Sequence, residues 1–599
     1  MTPKSGENQL GGFFGTFGVI VTVVRDGAGA QRTFGTSVGE LFCPNRIVML
    51  QYAVCGRERL MVDHSVNRRT FLAQALGVTV LGSPTIHAVC LGSGIRETPR
   101  QPGQDAIATD FLDGSPEATR WWERNIGPVV GRIKGRHSRE IARSPFSVGM
   151  ETLDRAMYDP QRVYRPLGEL GVKWARLQTG WARCETSPGK YDFGWLEAVV
   201  DAVRAEGVSP WFNLGYGNRL YLPEAPDVSA VGWIPVYKPE AQKAWLKFVG
   251  ALAARFGDRV KHWEIWNEPN IKNFWKPGDP SPDLYCRFVA ETSQVLRQTV
   301  SDVVIIGGAL AGMPTDYLRQ LLACGILQHV DRISYHPYRP VPEEGYRETL
   351  TTWRTILRQN SPGGKEVPLW QGENGCPSRP GGAGALSQYE WTEVRQAKWL
   401  LRRMLYDRVL GVELSSYFHI VDLVNYNWGT GPSGKTNFKG LLRGEDYSPK
   451  PAYHAYQRLC TLFDGETRRE PALDEMLTVA SASPTSAEDH PMGKTPEAQK
   501  YVVAGFLRND APLWALWAVE PLHSPGQVRC ADVRIRGTAH LNSPVLIDFL
   551  SGCVFAVDHR EGDPRVLRAP SLPIPDYPVV IADEEAIHDL VTSPVQVDG

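Results

Sequence analysis

The sequence predicts an α/β protein: a (β/α)8 TIM barrel with a smaller C-terminal β-sandwich domain. Three observations carry that expectation. Between Ser144 and Gly465, short apolar runs of strand type alternate with amphipathic helical stretches, the pattern of parallel β/α units. Eight strands can be read there, enough to close a barrel. Beyond Gly465 the helices stop, and alternating strand-like runs follow a polar stretch at 481–499.

The chain has 599 residues, more than one hydrophobic core usually serves. Residues 1–60 read as a non-native or disordered upstream extension, with Met61 as the expected start. Residues 61–88 resemble a twin-arginine export signal: Asn67-Arg68-Arg69-Thr70-Phe71-Leu72, then an apolar run from Ala73 to Leu81, then Pro84-Thr85-Ile86-His87-Ala88. Charge first, a short apolar stretch next and a small residue last is the order such a signal needs, and the run is too short to span a bilayer. The expected location is therefore periplasmic or extracellular, in a bacterium, without a stable membrane span. Gly35-Thr36-Ser37-Val38-Gly39 matches a serine-hydrolase fingerprint, but no strand-turn-helix context surrounds it.

Residues 89–143 read as linker and barrel lead-in, and 144–465 as the barrel. Its strands are expected at 145–150, 172–177, 209–214, 260–266, 303–307, 330–335, 367–371 and 411–418. Between them, 193–206, 239–256, 282–300 and 390–408 repeat apolar residues every three or four positions, as helices lying on a sheet do. An open doubly wound sheet is the structural rival, but it would not place polar residues at the ends of so many strands. Residues 466–599 read as the β-sandwich accessory domain, expected either to pack on the barrel or to bind glycan.

Charge and cysteines exclude several function classes. Lys plus Arg number 65 against 66 Asp plus Glu, and a net charge of −1 offers nothing to nucleic acid or an anionic membrane. The ten Cys residues form no CxxC pair and no Cys/His cluster, so no metal and no cofactor is indicated. A Cys530–Cys553 bridge is compatible with the spacing. The 18 Trp residues suit the faces of sugars as well as a core.

A barrel enzyme gathers its reactive groups at the carboxyl ends of its strands. Strand four ends in Trp266-Asn267-Glu268-Pro269-Asn270, and strand seven in Trp370-Gln371-Gly372-Glu373-Asn374-Gly375. Breaking a glycosidic bond with retention needs two carboxyl groups about 5 to 5.5 Å apart. Facing strand ends can hold Glu268 and Glu373 at that spacing.

The run Trp263-Glu264-Ile265-Trp266-Asn267-Glu268-Pro269-Asn270 resembles the strand-four motif of clan A glycoside hydrolases, particularly family 39, which includes β-xylosidases and α-L-iduronidases. The resemblance implies that Glu268 is the general acid/base and Glu373 the nucleophile. It also implies that Asn267 bonds the sugar hydroxyl beside the anomeric centre, and that His336 and Tyr338 hold the nucleophile and substrate. Arg176, near the end of strand two, fits either an orienting role or a structural ion pair. Two positions depart from the family pattern: Phe418 stands where Trp is frequent, and Gln371-Gly372-Glu373 replaces the usual Thr-Glu. The expected activity is that of an exported retaining glycoside hydrolase, β-xylosidase-like, acting on an oligo- or polysaccharide. Its rivals are a glycan-binding protein on a catalytically inactive barrel and a serine hydrolase using Ser37.

Overall fold

The computed structural model describes residues 38–43, 46–55, 58–61, 108–427, 433–481, 501–523, 526, 528–537, 541–557 and 566–593. The chain divides into two units, 1–100 and 101–599. In the first, Val38–Cys43, Arg46–Cys55 and Glu58–Met61 pair as a three-stranded antiparallel sheet. Part of the expected upstream extension is thus paired strand. Ser37 and the export motif lie outside the described residues, but Val38 opens a strand where a nucleophile elbow requires a helix, which removes the serine-hydrolase reading.

The second unit is built around a closed barrel of eight parallel strands. They are β1 Phe146–Gly149, β2 Trp174–Gln178, β3 Ser209–Leu214, β4 His262–Ile265, β5 Val304–Ala311, β6 Arg332–His336, β7 Leu369–Asn374 and β8 Leu414–Tyr417. Ser415 of β8 pairs with Phe146 of β1 and closes the ring. Helices cover the outside as the periodicity predicts. Pro239–Phe256, for example, opens on a proline whose missing N–H costs nothing there, and buries Ala241, Trp245, Phe248, Leu252 and Phe256 along one stripe.

Side chains alternate along a strand, so those pointing into the barrel come in layers. Trp211, Ile306, Trp370 and Leu414 make an apolar layer, with Trp174 packed against it. Two residues further along, Arg176 follows Trp174 and Asn213 follows Trp211, and the layer turns polar with Glu264 and Ser334. Two strands shift register near their carboxyl ends, β5 between Gly307 and Leu310 and β7 between Gln371 and Asn374. Such bulges re-aim the side chains they carry, here those around Glu373.

The C-terminal region is a β-sandwich. Its larger sheet runs in the order Thr467–Arg469, Tyr501–Arg508, Ala511–Ala518, Val579–Asp583, Pro544–Asp548, Cys553–Ala556, Val129–Ile133 and Val591–Thr592, and its smaller one holds Leu477–Ser481, Arg529–Arg536 and Val566–Ile574. Val129–Ile133 corrects the expectation of a mere linker at 89–143: its partner strands lie more than 400 residues away, so no local pattern could reveal it.

The sandwich is tied to Glu393–Val409, the helix that follows β7. Arg402 bonds Glu343 at 2.5 Å and the Glu520 carbonyl at 2.6 Å, Trp517 Nε1 donates to Glu343 at 2.7 Å, and Lys398 pairs with Asp576 at 3.0 Å. These charges are buried and therefore depend on their partners.

Cys286 and Cys324 form a disulfide between the helices after β4 and β5, while Cys530 and Cys553 are free. No described helix is long and apolar enough to cross a membrane.

Candidate active site

A cavity of about 510 Å³ opens at the carboxyl ends of the strands, within the range that holds small ligands. Glu268, Glu373, Asn267, His336 and Tyr338 all line it. Arg176 lies fully buried alongside, bonded to two of them.

Glu268 is aimed by its own backbone. After β4, Trp266 and Glu268 adopt left-handed φ of 70° and 48°, uncommon for residues with a Cβ and sustained only where the surroundings impose it. The Glu268 N–H donates to the Ala309 carbonyl at 2.8 Å, inside the β5 bulge. Asn270 exchanges two bonds with Ala311, at 2.8 and 3.0 Å. Each polar residue of the motif therefore has a mechanical task, which is why its order matters.

Around the carboxyls the hydrogen bonds are specific. Tyr338 donates to Glu373 Oε1 at 2.8 Å, and Arg176 Nη1 to Glu373 Oε2 at 2.7 Å. His336 Nδ1 lies 2.8 Å from Glu268 Oε1 and 4.0 Å from Glu373. This corrects the expected role of His336: the imidazole bonds the strand-four carboxyl and leaves the strand-seven carboxyl to Tyr338 and Arg176. Arg176 does both things left open for it. It grips Glu373 and also pairs with the buried Glu264, at 2.5 Å. Asn267 Oδ1 accepts from Arg176 Nη2 at 2.9 Å, so its Nδ2 donor is the atom left for a substrate hydroxyl.

Burial shifts several groups that face the cavity. Burial pushes Glu268 up to about 7, with Arg176 opposing and Glu264 reinforcing the shift. Burial likewise pushes His336 down to about 4, so it stands neutral beside Glu268. Tyr338, buried next to Glu373, is held well above the ordinary phenol value and stays a donor. Glu268, His336 and Glu373 present ligand atoms within 4.8 Å of one another. That spacing would also suit a cation, but Arg176 already supplies positive charge to Glu373.

Several residues of the site were assigned no role from the sequence. Glu264 accepts from Arg176, from Asn213 at 2.9 Å and from Ser334 at 2.6 Å. Inward alternation along β3 and β4 is the signal that could have found Asn213 and Glu264. Glu151 and Lys439 line the cavity from loops after β1 and β8, where no periodicity marks them. Burial pushes Lys439 down to about 8. Tyr216 lines the cavity with a face free to meet a sugar only where the lining opens, while Trp181 is fully buried against Tyr221 and Phe248 and so is core.

Residues 181–359 match the family model "Glycosyl hydrolases family 39". That segment holds Glu268, His336 and Tyr338 and ends before Glu373. A β-xylosidase of Geobacillus stearothermophilus is 26% identical over 197 residues, covering 28% of this chain and 38% of that protein. Beta-glucosidase 1B of Phanerodontia chrysosporium is 31% identical over 109 residues, 17% of this chain and 19% of that one. In both cases the match spans well under half of the relative's length. Among solved structures, a family 39 glycoside hydrolase from Bacteroides cellulosilyticus WH2 superposes with a TM-score of 0.55 at 19% identity, covering 75% of this chain and 83% of that one, a likeness of fold. The chain thus resembles the clan A glycoside hydrolases, and within them glycosyl hydrolases family 39.

Proposed function

We propose that this protein is an exported retaining glycoside hydrolase, with Glu373 as nucleophile and Glu268 as general acid/base. The observation that carries the reading is the approach of the two carboxyls: oxygens of Glu268 and Glu373 lie within 4.8 Å of each other across one cavity. So close an approach of single oxygens favours the group separation of about 5 to 5.5 Å of a retaining pair over the roughly 6.5 to 9.5 Å that leaves room for water in an inverting pair.

The chemistry gives each carboxyl one role. A Glu373 oxygen attacks the anomeric carbon as the bond to the departing oxygen breaks, and Glu268 gives that oxygen its proton. Glu268, now ionised, takes a proton from water, whose oxygen displaces Glu373 and releases the sugar with its original configuration. Asn267 bonds the hydroxyl beside the anomeric carbon, an interaction that strengthens as positive charge grows on the ring. Arg176 and Tyr338 hold Glu373 in line.

The proposed sugar is β-xylose, after the name of the G. stearothermophilus relative. Aryl β-xylosides, β-glucosides, β-galactosides and uronides, tested beside intact polysaccharides, decide it. The expected result is fastest release from the β-xyloside, with the β-anomer of the sugar appearing first by proton NMR. An α-anomer first would contradict retention, and binding without cleavage across the panel would favour a glycan-binding protein.

Export rests on the Arg68-Arg69 motif and gains support from the Cys286–Cys324 disulfide, a bond that persists in oxidising compartments. Residues 61–88 fused to a folded fluorescent reporter should carry it out of the bacterial cytoplasm, and Arg68→Lys with Arg69→Lys should retain it inside. Equal export of both fusions would remove the twin-arginine reading.

A further inference from the structure

Arg176 holds three carboxyl groups, not one. Its Nε and Nη2 grip Glu264 at 3.0 and 2.5 Å, and its Nη1 donates both to Glu373 at 2.7 Å and to Glu151 Oε1 at 3.1 Å. One positive charge stands against three carboxyls, and all of the cluster but Glu373 is closed to water: Arg176 and Glu264 are fully buried, and Glu151 is 1% exposed. A buried charge without adequate partners gives way by taking or losing a proton. A proton on one of the three carboxyls relieves that imbalance.

The hydrogen bonds show which. Glu264 accepts from Arg176, Asn213 and Ser334. Glu373 accepts from Arg176 and Tyr338, one donor on each oxygen. Glu151 has only the longest of the Arg176 bonds, on Oε1, while its Oε2 is buried with no hydrogen-bond partner among the described residues. That oxygen is packed against Gly149, where an added Cβ would come within 2.1 Å of it.

The cations that line the cavity beside Glu151 are engaged elsewhere: Arg155 pairs with Asp154 at 3.7 Å and donates to Gln178 at 3.0 Å, and Lys439 donates to Asn437 at 3.3 Å. His419, in the loop after β8, has its Nε2 3.8 Å from Oε2, but that nitrogen bonds the Glu151 carbonyl at 3.1 Å, and burial pushes the imidazole down to about 4. Tyr158 and Tyr426 are buried phenols raised above their ordinary value, so both stay uncharged.

We propose that Glu151 is a positioning residue: it stands in the site as a neutral carboxylic acid and, by sharing Nη1 of Arg176 with Glu373, fixes the guanidinium that orients the nucleophile. The proton on Glu151 leaves Arg176's charge to Glu264 and Glu373. It also limits the negative charge around Glu373 while keeping enough to meet the positive charge that grows on the sugar ring. Burial pushes the Glu151 carboxyl up to about 8, with Arg176 opposing and Glu373 reinforcing, in the direction this assignment needs.

The proposal rests on the hydrolase reading for its kinetic test and stands apart from it in its spectroscopic one. In the full-length protein, Glu151→Ala should lower kcat on the best-cleaved aryl glycoside by on the order of 10- to 100-fold with little change in KM, because a loosened orienting group misplaces the attacking atom. Glu151→Gln, which keeps a neutral acceptor at the same place, should recover most of that loss. A Gln variant as impaired as the Ala variant would show that a charge is required and overturn the proposal. So would an Ala variant with wild-type kcat.

Infrared difference spectra between wild type and Glu151→Gln need no turnover. In mildly acid buffer, wild type should show a protonated-carboxyl stretch that the variant lacks, fading as the pH rises through about 8. Absence of that band overturns the proposal even in an active enzyme. A wild type that cleaves no glycoside but shows the band would instead count against the hydrolase reading alone.

Discussion

Glu373→Gly is expected to lower kcat on an aryl β-xyloside by on the order of 10⁴-fold or more, roughly 5.5 kcal/mol of transition-state stabilisation, because no other group can form the covalent intermediate. The carboxyl removed is the one held from both sides, by Tyr338 on Oε1 and Arg176 on Oε2, and nothing else among the cavity's acids has that orientation. Glu268 is bonded to His336, and Glu151 turns one oxygen toward Gly149. Added azide should enter the space the side chain leaves and attack the anomeric carbon directly, restoring cleavage of substrates with good leaving groups. Its product identifies the face attacked: one displacement from the nucleophile's side gives an α-glycosyl azide from a β-glycoside. No rescue, or a β-azide, would reassign the nucleophile. Retained folding of the variant, checked by its melting temperature, separates chemical loss from collapse.

Much of this arrangement is legible in the sequence because barrel and motif reinforce one another. The eight strands announce themselves by apolar runs at regular spacing, and Trp266-Asn267-Glu268-Pro269-Asn270 uses residue types that only a bent strand end needs. What stays hidden is hidden for physical reasons. Glu264 precedes Ile265 inside a strand, where a lone charge normally points to solvent, yet here the inward side at that level is polar and Arg176 is its partner. The helix Glu393–Val409 is charged along its length, with Lys398, Arg402, Arg403 and Asp407 all buried, because it lies between barrel and sandwich and pairs its charges internally. The apolar repeat at 390–408 marks the helix but does not tell its buried charges from solvated ones.

Long-range partners account for the rest. Val129–Ile133 finds its sheet only when the chain's far end returns to it, and Cys286 meets Cys324 only because helices after neighbouring strands lie side by side. The expected contact of His336 with the strand-seven glutamate fails on a similar point. Register on β6 places the imidazole near both carboxyls, but the left-handed turn at Glu268 swings that carboxyl to within 2.8 Å of Nδ1. A one-residue backbone conformation, invisible to motif matching, decides which acid the histidine serves.

Glu268→Ala tests that pairing by dividing the reaction at its two steps. Substrates whose departing oxygen needs a proton, such as alkyl β-xylosides, should lose on the order of 10² to 10⁴-fold in kcat/KM, the usual contribution of general acid catalysis. A dinitrophenyl β-xyloside, whose leaving group departs unprotonated, should keep a nearly normal first step and stall as the covalent intermediate, since no base remains to activate water. Azide then attacks that intermediate and yields a β-glycosyl azide, the opposite anomer from the Glu373→Gly product. The pH profile supplies the sign. Wild-type kcat/KM on an alkyl glycoside should fall as the pH rises through about 7, where the buried Glu268 gives up its proton, and Glu268→Ala should lack that limb. If the variant kept the limb, some other group would be the acid, and the neutral His336 at 2.8 Å could not be it, because its proton affinity is displaced downward to about 4.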